Sequence, residues 1–326
     1  MSTEFLKPSY CRIDVHQHIV PDVFRRLLNS VGITGGAGEE FAAWDEQTTL
    51  GVMDEHGIQT SVVSYVLSGI DIKDFDFFRK LCRECNDYTA ELIAKYPGRF
   101  GGFALLPLPD VEGALDEIRY ALDVLKLDGV GMHSNMGGVY PGDQRFEPVF
   151  EDLNRRNAVV HLHPTDVPGG RDFRPQWPPY IVEFMFETTR AAANLVYSGT
   201  MERHPNVSII LSHAGGAIPY LAWRLWTGEF VIPGLGERAP AGVLEYLKRF
   251  YYDTAMAANP GAFASLTELV DPSRILFGTD YPYMPDYAIG EFTRQTAEYP
   301  DFDTQDRASI ERENALELFP RLKKKP

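Results

Sequence analysis

Short apolar runs alternate with longer amphipathic segments along the whole chain, and this order limits the folds that the chain can adopt. Eight runs are rich in β-forming residues, at positions 12–18, 60–66, 99–108, 129–134, 158–164, 207–215, 250–256 and 274–282. Helix-like segments such as 75–96 and 111–126 lie between them. Strands that alternate with helices predict βαβ units and a parallel sheet. Eight such units predict a closed (β/α)8 TIM barrel.

An open, doubly wound sheet is the alternative arrangement of the same elements. A G-x-G-x-x-G turn after the first strand would favour that sheet, but the stretch RIDVHQHIVP, residues 12–21, contains no such turn. We therefore expect a single barrel domain over residues 1–326. The connections at about 21–44 and 164–180 are long and follow predicted strands. We expect both to be insertions at the C-terminal face of the barrel, where active sites form.

The composition is that of an acidic globular protein. The 326 residues include 31 Lys and Arg against 46 Asp and Glu, which gives a formal net charge of −15. That charge argues against a nucleic-acid partner, which needs a basic surface. Three cysteines are too few for a disulfide framework. The first ten residues lack an apolar signal core, and no run approaches the ~18 apolar residues of a membrane helix. We expect a cytoplasmic protein that binds no membrane.

Histidines are concentrated in the predicted strands. Of the eight histidines, six lie within these strands or at their C-terminal ends, and Asp280 ends the eighth run. His16 and His18 are two residues apart, so in an extended strand they project from the same face. The other four are His133, His161, His163 and His213. Packing explains this concentration poorly, because each buried imidazole needs a hydrogen-bond partner. Since a barrel brings its strand ends around one mouth, the pattern predicts a metal site there.

The fifth strand contains two histidines that share one face, so spacing alone does not choose a ligand. His163 is nearer the C-terminal end of the strand and therefore nearer the mouth. We expect His163 to be the ligand and His161 to pack behind it. His133 also lies near the mouth, and the sequence leaves its role open.

Four motifs carry a resemblance to a known family. The HxH of the first strand, an HP after the fifth, SHAGG in the sixth and GTDYP in the eighth occur in that order. They resemble the amidohydrolase superfamily, and the pattern is similar to its decarboxylase branch, typified by aminocarboxymuconate-semialdehyde decarboxylase. The segment PGRFGGFALLPLPDVEGALDEIRYALD, residues 97–123, is more similar still to 6-methylsalicylate decarboxylases.

The resemblance implies a role for individual residues. The implied metal ligands are His16, His18, His163 and Asp280, and the implied catalytic groups are His213 and Asp280. Arg224 matches an arginine that reaches a substrate carboxylate across a dimer interface, so we expect a homodimer. Trp177 falls where that branch has an aromatic residue in the loop after strand five.

The resemblance also bears on the number of metal ions. Binuclear members of the superfamily use a lysine at the end of strand four, but the run GVGMHS, residues 129–134, has none, and Lys126 lies before it. We therefore expect one divalent ion per chain. Three imidazoles and one carboxylate suit Zn²⁺, with Mn²⁺ or Fe²⁺ as alternatives.

The implied function is metal-dependent, non-oxidative decarboxylation of a small carboxylic acid. The acid would be aromatic or muconate-like, and a hydroxybenzoate such as 6-methylsalicylate is favoured. The alternative is a mononuclear hydrolase or lactonase on the same barrel. A non-catalytic binding barrel would be expected to lack some ligands, and all are present. The sequence leaves open whether Asp280 or a metal-bound water starts the reaction.

Overall fold

Eight parallel strands form one sheet whose order follows the chain. The computed structural model describes residues 12–169 and 177–323. The strands are β1 Arg12–His18, β2 Ile58–Ser64, β3 Phe100–Ala104, β4 Gly129–His133, β5 Val159–His163, β6 Ser208–Leu211, β7 Tyr251–Asp253 and β8 Ile275–Leu276. A separate antiparallel hairpin pairs Gly35–Gly36 with Glu39–Glu40.

Backbone hydrogen bonds join the first strand to the end of the last and nearly close the sheet into a barrel. Val15 N donates to Phe277 O at 2.9 Å, and Asp280 N donates to His16 O at 2.7 Å. A doubly wound sheet would reverse its strand order at a switch point, whereas here each strand neighbours the next one in the sequence. The predicted (β/α)8 barrel is therefore confirmed.

Helices connect the strands. They are α1 Asp22–Ser30, α2 Glu46–Glu55, α3 Phe75–Lys95, α4 Val111–Arg119, α5 Glu147–Arg155, α6 Glu183–Tyr197, α7 Thr200–Arg203, α8 Ile218–Trp226, α9 Gly228–Val231, α10 Leu235–Arg238, α11 Val243–Leu247, α12 Pro260–Thr267, α13 Asp286–Glu298, α14 Thr304–Ala308 and α15 Asn314–Leu318. In the part of the chain that the structure describes, no helix is both long enough and apolar enough to cross a membrane.

The apolar core has an outer layer between strands and helices and a layer inside the barrel. In the outer layer, Phe150 of α5 and Leu195 of α6 pack with Leu162 of β5. Inside the barrel, residues from several strands, including Val15 and Phe103, pack with the C-terminal end of the chain around α15. This apolar floor leaves the C-terminal ends of the strands for the polar residues.

A glycine after β8 allows the last strand to approach the first. A Cβ at Gly278 would lie 2.8 Å from the Cβ of His16 and 3.3 Å from the Cβ of Ala255. Carbon atoms this close repel strongly, so no side chain fits at Gly278 unless β1 moves away.

We expect Gly278→Ala to destabilise the protein by about 1–3 kcal/mol, because an added methyl group overpacks this contact. The matched control is Gly51→Ala in α2, where an added Cβ meets nothing within 4 Å. The control should be neutral or stabilising by up to about 1 kcal/mol, since alanine favours helix. Urea unfolding measures both free energies. An unchanged stability in Gly278→Ala would show that β1 and β8 are less tightly joined than described.

Candidate metal centre and active site

Imidazole and carboxylate groups meet at the C-terminal ends of the strands. The Nε2 atoms of His16 and His18 lie 3.0 Å apart. Asp280 Oδ1 lies 3.0 Å from His18 Nε2 and 3.5 Å from His16 Nε2, and Asp280 Oδ2 lies 3.1 Å from His213 Nε2. His163 belongs to the same cluster, since it, His16, His213 and Asp280 each offer a ligand atom within 4.8 Å of the others. The barrel therefore brings together every residue that the sequence analysis assigned to the metal.

The Nδ1 atom of each candidate histidine ligand is held by an oxygen outside the cluster. The partners are Asp253 for His16 at 2.8 Å, Ser64 for His18 at 2.9 Å and the Pro164 carbonyl for His163 at 2.8 Å. A carbonyl only accepts, so Nδ1 of His163 carries its proton and Nε2 keeps a lone pair. Metal-binding histidines are usually oriented by such contacts at the opposite ring nitrogen.

This arrangement fits a cation. Two ring nitrogens 3.0 Å apart repel each other through their lone pairs, unless a proton or a metal ion lies between them. Burial hides the groups from water, which would otherwise satisfy them. A divalent ion that accepts the lone pairs of His16, His18 and His163 together with a carboxylate oxygen of Asp280 would satisfy this donor set.

The charges around the cluster favour the same conclusion. Burial opposes a proton on His16, but the carboxylates of Asp253 and Asp280 outweigh it and raise its pKa to about 10. Burial lowers the pKa of His163 well below its usual value. Burial would raise the pKa of Asp280, yet the neighbouring imidazoles hold it well below its usual range. Anionic oxygens thus surround the cluster and stabilise positive charge at its centre, whether this is a proton on His16 or a bound cation.

Two of the site residues lie beyond the strands that the sequence predicted for them. β6 ends at Leu211 and β8 at Leu276. His213 begins a short, distorted 3₁₀ turn, His213–Gly215, and Asp280 lies in irregular backbone. Both have left-handed conformations, with φ of 56° and 66°. Such conformations cost non-glycine residues of the order of 1–3 kcal/mol and persist only where the surroundings hold them. From these positions the two side chains meet in the cluster, where His213 Nε2 lies 3.1 Å from Asp280 Oδ2.

The second glycine of SHAGG, Gly216, is required for steric reasons. Gly216 has φ of 63°, and a Cβ there would lie 2.1 Å from the carbonyl oxygen of Met185 in α6. Close approach of α6 to this turn therefore requires glycine. The turn is fixed further by Asp253, whose Oδ1 accepts from His213 N at 2.9 Å.

His161 lies one layer behind the cluster. Its Nε2 is 3.4 Å from Asp253 Oδ2 and 3.3 Å from Ser212 Oγ, and its ring stacks on Phe103 with centroids 5.2 Å apart. Its Nδ1 is buried without a hydrogen-bond partner. The different surroundings of His161 and His163 agree with the roles expected for them, and the choice of His163 as ligand stays a prediction.

Asp253 and Ser64 were not predicted from the sequence as parts of the site. Asp253 holds His16 and the His213 backbone, and it is the one charged residue in the run FYYDTAM, residues 250–256. An acid inside a buried strand needs partners, so that signal was available. Ser64 gave no comparable signal, because serine is common at strand ends.

A cavity of about 700 Å³ opens beside His133 at the mouth of the barrel. Apolar residues such as Leu67 and Met136 form much of its wall. Trp177 also lines it and is 51% exposed, and its expected role in substrate binding stays a prediction. Residues 170–176 of the predicted insertion 164–180 lie outside the described residues. Cavities of this size accommodate small organic ligands.

Arg224 lies in the helix that follows the SHAGG turn. It occupies the last turn of α8 and is exposed. Across residues 12–169 and 177–323, the structure places no carboxylate in an ion pair with it. Its expected role at a substrate carboxylate stays a prediction.

Comparison with known proteins identifies the family. A family model described as Amidohydrolase matches residues 13–321 of the chain. The chain therefore belongs to the amidohydrolase family, and the predicted membership is confirmed.

Three individual relatives align over nearly the whole chain. A 6-methylsalicylic acid decarboxylase of Penicillium expansum is 34% identical over 316 residues, which cover 96% of this chain and 97% of that protein. A solved 2,6-dihydroxybenzoate decarboxylase, complexed with 2,6-dihydroxybenzoate, is 26% identical with a TM-score of 0.79, covering 95% of this chain and 99% of that one. A dihydroxybenzoic acid decarboxylase of Polaromonas sp. JS666, with bound manganese and the inhibitor 2-nitroresorcinol, is 26% identical with a TM-score of 0.77, covering 95% and 97%.

Replacing either histidine of β5 should separate the two roles. We expect His163→Ala to lose its metal, because a lone pair is removed from the cluster, with an affinity loss larger than the roughly 10–100-fold of an outer partner. His161→Ala should retain the metal and lose about 1–3 kcal/mol of stability through lost packing and hydrogen bonding. Elemental analysis and urea unfolding of both variants measure these effects. The reverse pattern would make His161 the ligand.

Proposed function

We propose that this protein is a metal-dependent, non-oxidative decarboxylase of a small aromatic carboxylic acid, with a hydroxybenzoate such as 6-methylsalicylate as substrate. The observation that carries the proposal is the convergence of four imidazoles, those of His16, His18, His163 and His213, on Asp280 at the barrel mouth, near the cavity of about 700 Å³. Relatives that align over nearly the whole chain and are named as decarboxylases support a carboxy-lyase.

One divalent ion is proposed for the cluster. His16, His18, His163 and Asp280 would hold it. The donor set suits Zn²⁺, while the manganese in a 26% identical relative supports Mn²⁺ as an alternative. The position where binuclear members carry a lysine is not a lysine here, which supports one ion. When bound, the ion would draw electron density from the substrate carboxylate.

The proton chemistry is assigned to Asp280 and His213. Their 3.1 Å contact lets a proton pass between Asp280 Oδ2 and His213 Nε2. Asp280 would deliver that proton to the ring carbon that carries the carboxylate, and the ring would lose its aromaticity. The bond to the carboxylate then breaks, its electron pair returns to the ring, and CO₂ leaves. Burial of both residues excludes water from the proton's path.

Product analysis tests the proposal. Metal-loaded protein should convert 6-methylsalicylate or another hydroxybenzoate to the phenol with release of one CO₂, and in D₂O the vacated ring carbon should carry deuterium. The panel includes simple lactones. Acid release from a lactone without CO₂ from any hydroxybenzoate would favour the hydrolase alternative and contradict the proposal.

His213→Ala should keep its metal and lose roughly 10²–10⁴-fold in kcat, the usual contribution of a group that acts on a proton. Metal analysis accompanies the rate measurement. A metal-free variant would instead make His213 a ligand.

A homodimer with a shared active site is also proposed. Arg224 follows Tyr220 by four residues and Trp223 by one, and these aromatic residues are 84% and 68% exposed. Phe230 and Val231 in α9 are 68% and 73% exposed. Exposed apolar surface of this kind is typical of protein interfaces, and two-fold dimers are the commonest oligomers. Burial of this surface against a second copy would bring Arg224 toward the partner's substrate, whose carboxylate a guanidinium can bind through two parallel hydrogen bonds.

Complementation tests the shared site. Arg224→Ala and His213→Ala dimers should each be nearly inactive, and mixing them after dissociation should restore up to about a quarter of the wild-type rate. Random exchange makes about half of the dimers mixed, and one of the two sites in each is intact. Sedimentation measures the oligomeric state. A fully active monomer, or no recovery in confirmed mixed dimers, would rule out the shared site.

A further inference from the structure

His133 ends β4 at the mouth of the barrel. It pairs in register with His163 of the neighbouring β5, and the two ring centroids are 6.5 Å apart. His133 also lines the cavity of about 700 Å³. It therefore lies between the candidate metal centre and the space available to a substrate, although the proposed proton chemistry does not use it.

A backbone contact fixes the hydrogen position on this ring. Leu67 N donates to His133 Nε2 at 3.2 Å, so Nε2 holds a lone pair and the neutral ring carries its hydrogen on Nδ1. In residues 12–169 and 177–323, no acceptor is bonded to Nδ1, and this atom is not fully buried. The Nδ1–H group is thus reachable by solvent and by a ligand in the cavity.

The neighbouring amide on this wall is already engaged. Asn135 Nδ2 donates to Glu187 Oε2 at 2.8 Å and to Asp166 O at 3.0 Å, while its Oδ1 accepts from Gly138 N at 3.1 Å. These bonds hold Asn135 in place and leave it little capacity for a ligand. His133 has its acceptor satisfied and its donor available.

We infer that His133 is a specificity-determining residue that donates its Nδ1–H to an oxygen substituent on the ring of the bound acid. The inference rests on the proposed function and goes beyond it, because it concerns an oxygen outside the carboxylate. A neutral donor gives a hydroxyl one directed hydrogen bond. A substrate ring with only hydrogen or methyl at that position would bury the His133 donor without a partner. The lost hydrogen bond would weaken the binding of that substrate.

Unreactive ligands test this directly. Nitrobenzene and 2-, 3- and 4-nitrophenol carry a nitro group in place of the carboxylate and cannot lose CO₂. Their dissociation constants for the metal-loaded protein are compared with those for two variants. His133→Phe keeps a planar ring without a donor, and His133→Asn keeps an amide donor near the position of Nδ1. Metal content and unfolding free energy are measured for each protein.

In the wild-type protein, at least one nitrophenol should bind more tightly than nitrobenzene, by about 3–10-fold for one neutral hydrogen bond. His133→Phe should abolish this preference and leave the affinity for nitrobenzene within about twofold, while His133→Asn should keep part of the preference. Equal preferences in the wild-type protein and His133→Phe, or an equal loss for all four ligands, would overturn the inference.

The two experiments distinguish a failure of the His133 role from a failure of the proposed function. Release of CO₂ from hydroxybenzoates with an unchanged nitrophenol preference in His133→Phe overturns the role of His133 alone. Absence of both CO₂ release and nitrophenol binding overturns both proposals.

Discussion

The Asp253 carboxylate connects more of the site than any other single group described above. Its Oδ2 holds His16 Nδ1 at 2.8 Å, and its Oδ1 accepts from His213 N at 2.9 Å and Ala255 N at 3.1 Å. It thereby joins β1, the turn after β6 and the end of β7. Burial would raise its pKa, but His16 outweighs burial and keeps the group ionised. The orientation of His16, and therefore the position of its Nε2 atom in the cluster, depends on this buried anion.

Hydrogen bonds of buried carboxylates also hold the strained backbone at the site. His213 and Asp280 have left-handed backbones, which an isolated chain would avoid. Asp14 contributes to holding Asp280, because its carboxylate accepts from Thr279 Oγ1 at 2.6 Å and from His16 N at 2.9 Å. The barrel core supplies the stability, and the irregular segments after the strands use some of it to direct side chains inward.

Much of this arrangement could be predicted because barrel closure converts sequence position into spatial position. The eight runs indicated the strands, and their C-terminal ends had to meet, so His16, His18, His163, His213 and Asp280 were expected together. Pairing across the barrel could not be predicted. Asp253 and His16 are 237 residues apart, and no local pattern relates them. The eighth strand was predicted at 274–282, but β8 covers only Ile275–Leu276. The left-handed backbone of Asp280 could not be predicted either, because it has no reliable sequence signal. The single-domain boundary and the ligand roles stay predictions.

The metal content of the protein bears on all of these interactions, since the lone pairs of three imidazoles converge where a cation would neutralise their repulsion. Elemental analysis of gently purified protein, with protein concentration from amino-acid analysis, measures it directly. One equivalent of a divalent transition metal per chain is expected, removable by a chelator and restored by Zn²⁺ or Mn²⁺. Two equivalents, or none together with no uptake on addition of either ion, would contradict a mononuclear metal centre in this barrel.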